Sequence, residues 1–170
     1  MSDGAVVWFT GLPASGKTTL AERLAGQLRA ARVPAVVLDG DEVRDVLVPR
    51  PGHDLDGRDA FYRTLAGLAS LLAHRGLIAI VAATAHRRGW RDAARARAPR
   101  FVEVYVATDV DECRRRDPKG LYGRDETLAA LPGQGVVYEV PEHPDLIAPH
   151  GDDPRIVDAV LALLRVGGVA

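Results

Sequence analysis

Residues Gly11 to Thr18 read "GLPASGKT", a match to G-x-x-x-x-G-K-[ST]. Each residue type in that pattern has a chemical use. Gly11 and Gly16 let the backbone curl so that several N–H groups converge on one anion. A helix starting at Gly16 adds its partial positive charge. Lys17 is a compact ammonium on a flexible stem, suited to β- and γ-phosphate oxygens, and Thr18 supplies a hydroxyl to Mg²⁺. The run Gly11, Leu12, Pro13, Ala14, Ser15, Gly16, Lys17, Thr18 and Thr19 is therefore the expected cradle for a nucleoside triphosphate with magnesium.

A second group of reactive types lies at "LDGDEVR", 38–44. Asp39 and Asp41 follow an apolar run. An acid there can orient magnesium waters or take a proton from an attacking hydroxyl. An aspartate at a helix start also serves as a cap, and either residue could do only that. Arg44 is spaced to hold an anionic acceptor. Lysine is scarce: of 22 basic residues only Lys17 and Lys119 are lysines, and Lys119 sits in "RRRDPKGLYG". A guanine-reading N/T-K-x-D motif is absent from "ATDVDE" (107–112), and "LIAIVAA" (77–83) runs into Thr84 rather than an acid, so GTPase and motor-ATPase readings are disfavoured.

These groups need a scaffold. Apolar runs at 5–10, 35–41, 77–83 and 101–108 read as buried strands, with a short fifth strand near 145–149. Helical spacing covers 16–32, 58–76, 87–98, 109–116 and 153–166. The alternation implies an α/β fold with a parallel sheet and helices on both faces. Loops at 47–58 and 131–145, rich in Pro, Gly and Asp, are expected beyond the strand ends, where ligands sit.

The chain of 170 residues reads as one domain, 1–170, with 47% hydrophobic and 26% charged residues. A net charge of −1 gives no basic field for nucleic acid or a membrane surface. The N-terminal run is too short for a membrane span and lacks a basic signal region. One cysteine, Cys113, excludes an internal disulfide and fits a reducing, cytoplasmic compartment. Trp8 and Cys113 are expected in the core, His74 and His150 on the surface. The five histidines lack metal-ligand spacing. In the arginine-rich helix, only Arg88 and Arg91 lie near enough to a strand end to bind anions.

The order of "GLPASGKTT", "LDGDEVR", "FVEVYV", "CRRRDPKGLYG" and "VVYEVPEHPDL" resembles that of adenylylsulfate (APS) kinases. The resemblance runs from Val6 to the last helix, and "RDPKGLY" is its most specific piece. It implies a nucleotide-kinase-like P-loop NTPase fold. It also implies ATP- and Mg²⁺-dependent phosphorylation of the 3′-hydroxyl of APS, a small nucleotide acceptor. Lys17, Asp39 and Asp41 are then the catalytic candidates, with Asp41 nearest the acceptor hydroxyl and Thr18 and Asp41 at the metal. Arg116 joins the nucleotide contacts. Arg44, His53, Arg58, Phe61, Arg88, Lys119, Gly120 and Leu121 join Asp41 on the acceptor side, part of them on a mobile lid. Kinases of this type often form homodimers, although no apolar stripe here marks an interface.

The sequence departs from the family pattern on the acceptor side. His53 stands for a base-stacking Phe, Phe61 for Asn, Ala85 for Ser, His86 for Pro and Leu131 for a second aromatic. Loss of two stacking rings weakens a base site by about 1–3 kcal/mol per contact. Two alternatives follow: a sister kinase for another anionic nucleotide, such as a cytidine diphosphoramidate-type acceptor, or a silent nucleotide-binding module. Intact Lys17, Thr18, Asp39 and Asp41 argue against silence.

Overall fold

The computed structural model describes residues 4–123 and 129–165. In chain order the elements are β1 (Ala5–Gly11), α1 (Lys17–Ala30), β2 (Ala35–Asp39), α2 (Gly40–Val46), α3 (Leu55–His74), β3 (Ile78–Ala82), α4 (Arg88–Arg97), β4 (Phe101–Val106), α5 (Val110–Arg116), β5 (Leu146–Ala148) and α6 (Pro154–Leu164). The five strands form one sheet in the order β2-β3-β1-β4-β5. Every pairing is parallel.

The sheet is sandwiched because alternate strand residues point to opposite faces. On β1, Val7 and Phe9 join Leu20, Leu24 and Leu28 of α1 and Val160 of α6. Val6 and Trp8 face the other way, with Phe61 and Leu65 of α3 and Trp90 of α4. Both layers are apolar, so β1 reads as a continuous hydrophobic run. Trp8 and Cys113 are fully buried, as expected. Among the described residues no helix is long and apolar enough to cross a membrane.

Two local differences from the sequence expectation bear on the site. The second strand stops at Asp39 and passes directly into α2, a seven-residue helix rather than more strand. Asp39 has extended geometry and its carboxylate accepts from Asp41 N, which starts the helix at once. The long helix begins at Leu55, so much of the expected 47–58 loop is shorter than read. Because all strands run the same way, their carboxyl ends gather the P-loop, Asp39 and the 83–87 loop at one rim.

Candidate active site

β1 delivers Gly11 to the rim, and α1 opens at Lys17. Gly16 caps α1 with φ 98°, and a Cβ there would lie 2.5 Å from Gly151 Cα. Only glycine satisfies both the backbone and that approach. Thr108 Oγ1 donates to Ser15 O at 2.7 Å and Tyr122 OH donates to Pro13 O at 2.9 Å, so the loop is held from α5's side and from the "KGLY" segment. Lys17 folds back over the loop, donating to Leu12 O at 2.7 Å and Gly11 O at 3.1 Å. Burial pulls its ammonium down to about 8, against the pull of Asp41 and Asp39.

Asp39 uses its two oxygens differently. Oδ1 accepts from Asp41 N at 2.9 Å, and Oδ2 accepts from Thr18 Oγ1 at 2.6 Å. One carboxylate thus caps α2 and touches the P-loop threonine at the same time. The sequence pairs Thr18 with Asp41 at the metal; in the protein the hydroxyl of Thr18 contacts Asp39, while Asp41 lines the same cleft. Asp41 pairs with Lys119. Burial opposes ionisation of Asp41, but the Lys119 hydrogen bond and the cations Lys17 and Arg44 outweigh it and hold the carboxyl below its ordinary range. Lys119 moves up in return, Asp41 outweighing burial.

These groups line one cleft of about 590 Å³. Pro13, Ala14, Ser15, Gly16, Lys17, Thr18 and Thr19 form one end, with Arg116, Lys119 and Leu121 over it. Asp39, Asp41 and Arg44 form a side, and His53, Arg58 and Phe61 extend it away from the P-loop. Leu12 and Gly11 lie beneath as carbonyl partners of Lys17. Gly120, at φ 63°, makes the turn between Lys119 and Leu121. Tyr62, Thr84, His86 and Leu131 also line the cleft. None of them was among the expected contacts. His86 and Leu131 had shown themselves only as departures from the family pattern, and Tyr62 gave no signal beyond its position beside Phe61.

Arg44 is 5% exposed, and its Nη1 donates to Pro51 O at 3.1 Å and Gly52 O at 2.9 Å. Its Cζ sits 3.9 Å above the Phe61 ring centroid. The cation thus covers one face of Phe61, so that face is closed to a base. Arg58 Nη2 donates to Ala130 O at 2.6 Å.

Two arginines depart from expectation. Arg88 does not line the cleft; it pairs with Glu142 and Glu139, and its backbone N–H donates to Glu139 Oε2 at 2.8 Å. The 131–145 segment brings these carboxylates to the positive N-terminus of α4, where they belong electrostatically. Arg91 is 1% exposed and serves structure: Nε pairs with Glu103 Oε1 at 2.8 Å, Nη1 donates to Ala85 O at 2.5 Å and Nη2 to Glu139 O at 2.6 Å.

Among the described residues no group of three or more His, Cys, Asp or Glu side chains is placed to hold a metal by itself. The hydroxyl–carboxylate pair of Thr18 and Asp39 nevertheless suits Mg²⁺, a hard ion that keeps waters and takes most of its oxygens from phosphates.

The chain's relatives share this arrangement of elements. The family model described as adenylylsulphate kinase matches residues 3–148. An adenylyl-sulfate kinase of Synechococcus sp. (strain JA-3-3Ab) is 36% identical over 169 residues, covering 97% of this chain and 96% of that protein. The structure of the Mycobacterium tuberculosis APS kinase CysC in complex with AMPPNP and APS superposes with a TM-score of 0.88 at 33% identity, over 97% of this chain and 99% of that one. A hexameric APS kinase from Thiobacillus denitrificans gives a TM-score of 0.70 at 31% identity; this chain is matched over 96% of its length but spans only 29% of that longer one. With a P-loop, a paired-acid arm and a capped cleft on the same scaffold, the chain belongs to the adenylylsulphate kinase family and is a phosphotransferase acting on an alcohol group.

Proposed function

We propose that the chain transfers the γ-phosphoryl group of ATP to the 3′-hydroxyl of adenylylsulfate. The observation that carries this reading is the convergence of Lys17, the Thr18–Asp39 pair and the Asp41–Lys119 pair in one cleft. Lys17 leaves the Gly11 and Leu12 carbonyls for the β/γ-phosphate oxygens, trading neutral acceptors for charged ones. Mg²⁺, when bound, supplies charge neutralisation on the transferring phosphoryl group. Thr18 and Asp39 would hold it, Asp39 through water. Asp41, at the start of α2, lines the same cleft as the P-loop, and it accepts the hydrogen of the attacking hydroxyl. For that it must release Lys119, which then faces the negative charge shared by donor and acceptor. Ala85 carries no hydroxyl at the loop following β3, so transfer is direct and in line. The enzyme acts in the cytoplasm, and the hexameric relative makes a homo-oligomer the expected assembly.

A second acceptor is favoured by one specific observation. The Phe61 face is covered by Arg44, and His53 and Leu131 replace the stacking rings, so the anion-binding half of the cleft is kept while the base-binding half is altered. ADP release should be measured with Mg-ATP and either adenylylsulfate or a panel of cytidine and uridine diphosphate derivatives, and the product identified by mass. We expect a 3′-phosphorylated adenylylsulfate. ADP release no faster with adenylylsulfate than without an acceptor would refute the reading, and preference for a cytidine diphosphate derivative would establish the second one.

A further inference from the structure

We propose that His86 is a specificity-determining residue whose imidazole hydrogen-bonds the base of the acceptor nucleotide. The inference rests on the kinase reading above, since that reading places the acceptor's reactive hydroxyl beside Asp41 and leaves the far end of the cleft to the rest of the acceptor.

His86 is 4% exposed, yet it lines the cleft. Among the described residues neither ring nitrogen has a hydrogen-bond partner within the protein. Among the described residues Trp8 Nε1 is the side-chain nitrogen that is both sealed off and unpartnered, so the His86 nitrogens are open to the cleft and free to bond whatever fills it. The wall around it is aromatic. The His86 ring meets Trp90 edge-on at 4.9 Å, Trp90 stacks on Tyr62 at 4.5 Å, and Tyr62 contacts Phe61 at 5.2 Å. The other polar atoms of that wall are already engaged: Tyr62 OH accepts from Ala85 N at 3.0 Å and Trp90 Nε1 donates to Asp59 Oδ1 at 3.1 Å. On this apolar surface His86 supplies the polar contact. That combination suits a flat ring with a hydrogen-bonding edge.

The backbone holds His86 in this pose at a cost. Ala85 has φ 40°, an uncommon conformation for a residue with a side chain. Three hydrogen bonds fix the strained loop: Ala85 N to Tyr62, Arg91 to Ala85 O, and Glu139 N to His86 O at 2.8 Å. Strain over-determined by its surroundings is the mark of a positioned group. Burial, then the cations Arg58 and Arg87, pull His86 down to about 4. It is therefore neutral near pH 7, with one donor and one acceptor nitrogen, and does not compete with Arg44 or Arg58 for the acceptor's anion.

The test compares wild type with H86F and H86N. Phe keeps a ring against Trp90 but has no nitrogen; Asn restores one donor and one acceptor. With the best acceptor from the panel, H86F should raise the acceptor KM about tenfold, with kcat changed less than about threefold and the KM for ATP unchanged. H86N should recover part of the loss. An acceptor KM for folded H86F equal to that of wild type would overturn the proposal, as would equal losses for ATP and acceptor. If H86F does not fold, ¹⁵N-histidine-labelled wild type bound to a non-hydrolysable ATP analogue should be titrated with adenylylsulfate. A shift of a His86 ring nitrogen supports the contact; an unmoved resonance at saturation overturns it. Failure of the kinase reading is distinct, because wild type itself would then turn over no acceptor.

Discussion

Arg91→Met should be among the most damaging single changes on the scaffold beneath the site. Removing the guanidinium leaves Glu103, 6% exposed, without its 2.8 Å partner, and takes donors from Ala85 O and Glu139 O. Breaking a buried pair from one side costs about 3–5 kcal/mol, mostly through the stranded charge. Arg95 remains 3.4 Å from Glu103 but is more than a third exposed, so it compensates weakly and favours the lower end, about 3–4 kcal/mol. For a chain of this size that corresponds to a fall of roughly 6–15 °C in Tm. The double variant Arg91→Met/Glu103→Leu removes both charges and should recover most of the loss, since a desolvated pair and an apolar replacement often differ little. Urea unfolding of both variants, with m compared to wild type, measures this directly. A single-variant loss under about 1 kcal/mol at unchanged m, or a double variant no more stable than the single, would refute the argument. The first result would mean that the ion pair is not truly buried, the second that the carbonyl contacts alone hold the region.

Other expectations concern the reacting groups. Lys17 falls from 10.5 to about 8 in the nucleotide-free fold, chiefly through burial, whereas a phosphate-bound Lys17 must be charged. Nucleotide binding at pH 9 should therefore take up a proton, and ATP affinity should weaken as pH rises above about 8, by up to about tenfold per unit. Calorimetric titrations in two buffers of different ionisation enthalpy read that proton, and identical heats would exclude it. In the free protein the same lysine binds fewer protons than in the unfolded chain between pH 8 and 10.5, so its share of stability rises with pH across that window. The two acids should separate: Asp41→Asn lowers kcat by about 100-fold or more with little change in ATP affinity. Asp39→Asn should keep stability within about 0.5 kcal/mol, because Asn caps helices as well as Asp does, while the Mg²⁺ concentration for half-maximal rate rises. If Asp39→Asn left both the stability and the Mg²⁺ requirement unchanged, Asp39 would be a cap only.

What could be read from the sequence was what is local in it. The P-loop is one continuous stretch whose glycines, lysine and threonine act through neighbouring backbone, so its pattern and its geometry coincide. The strands were legible because both sheet faces are covered, which makes β3 an unbroken apolar run and β1, β2 and β4 nearly so, Thr10, Asp39 and Glu103 aside. Arg91 was not legible. Its helix is arginine-rich and reads as a solvated face, and nothing in "RRGWRDAARARA" reveals that Arg91 lies on the same buried side as Trp90 and Ala94, opposite Glu103 of β4. Arg88 misled for a similar reason, its partners Glu139 and Glu142 lying about fifty residues away.

The two acids divide the site for a similar physical cause. Asp39 and Asp41 are two residues apart and chemically identical, so spacing alone cannot divide the work between them. The division comes from the groups that face them. Thr18, 21 positions before Asp39, binds one Asp39 oxygen, while Lys119, 78 positions after Asp41, takes that carboxylate. Capping α2 fixes the difference: with Asp39 Oδ1 committed to Asp41 N, its other oxygen remains at the phosphate end and Asp41 turns into the cleft. Lys17 and Lys119, the two lysines of an arginine-rich chain, both act on Asp41, one from the P-loop and one from the "KGLY" segment. A compact ammonium can move from a carboxylate or a carbonyl to a phosphate without keeping a fixed fork of donors satisfied, as a guanidinium would have to. Both lysines occupy positions where the proposed reaction requires a change of partner. Arg44, Arg58 and Arg91, which have no such change to make, are each anchored to backbone carbonyls.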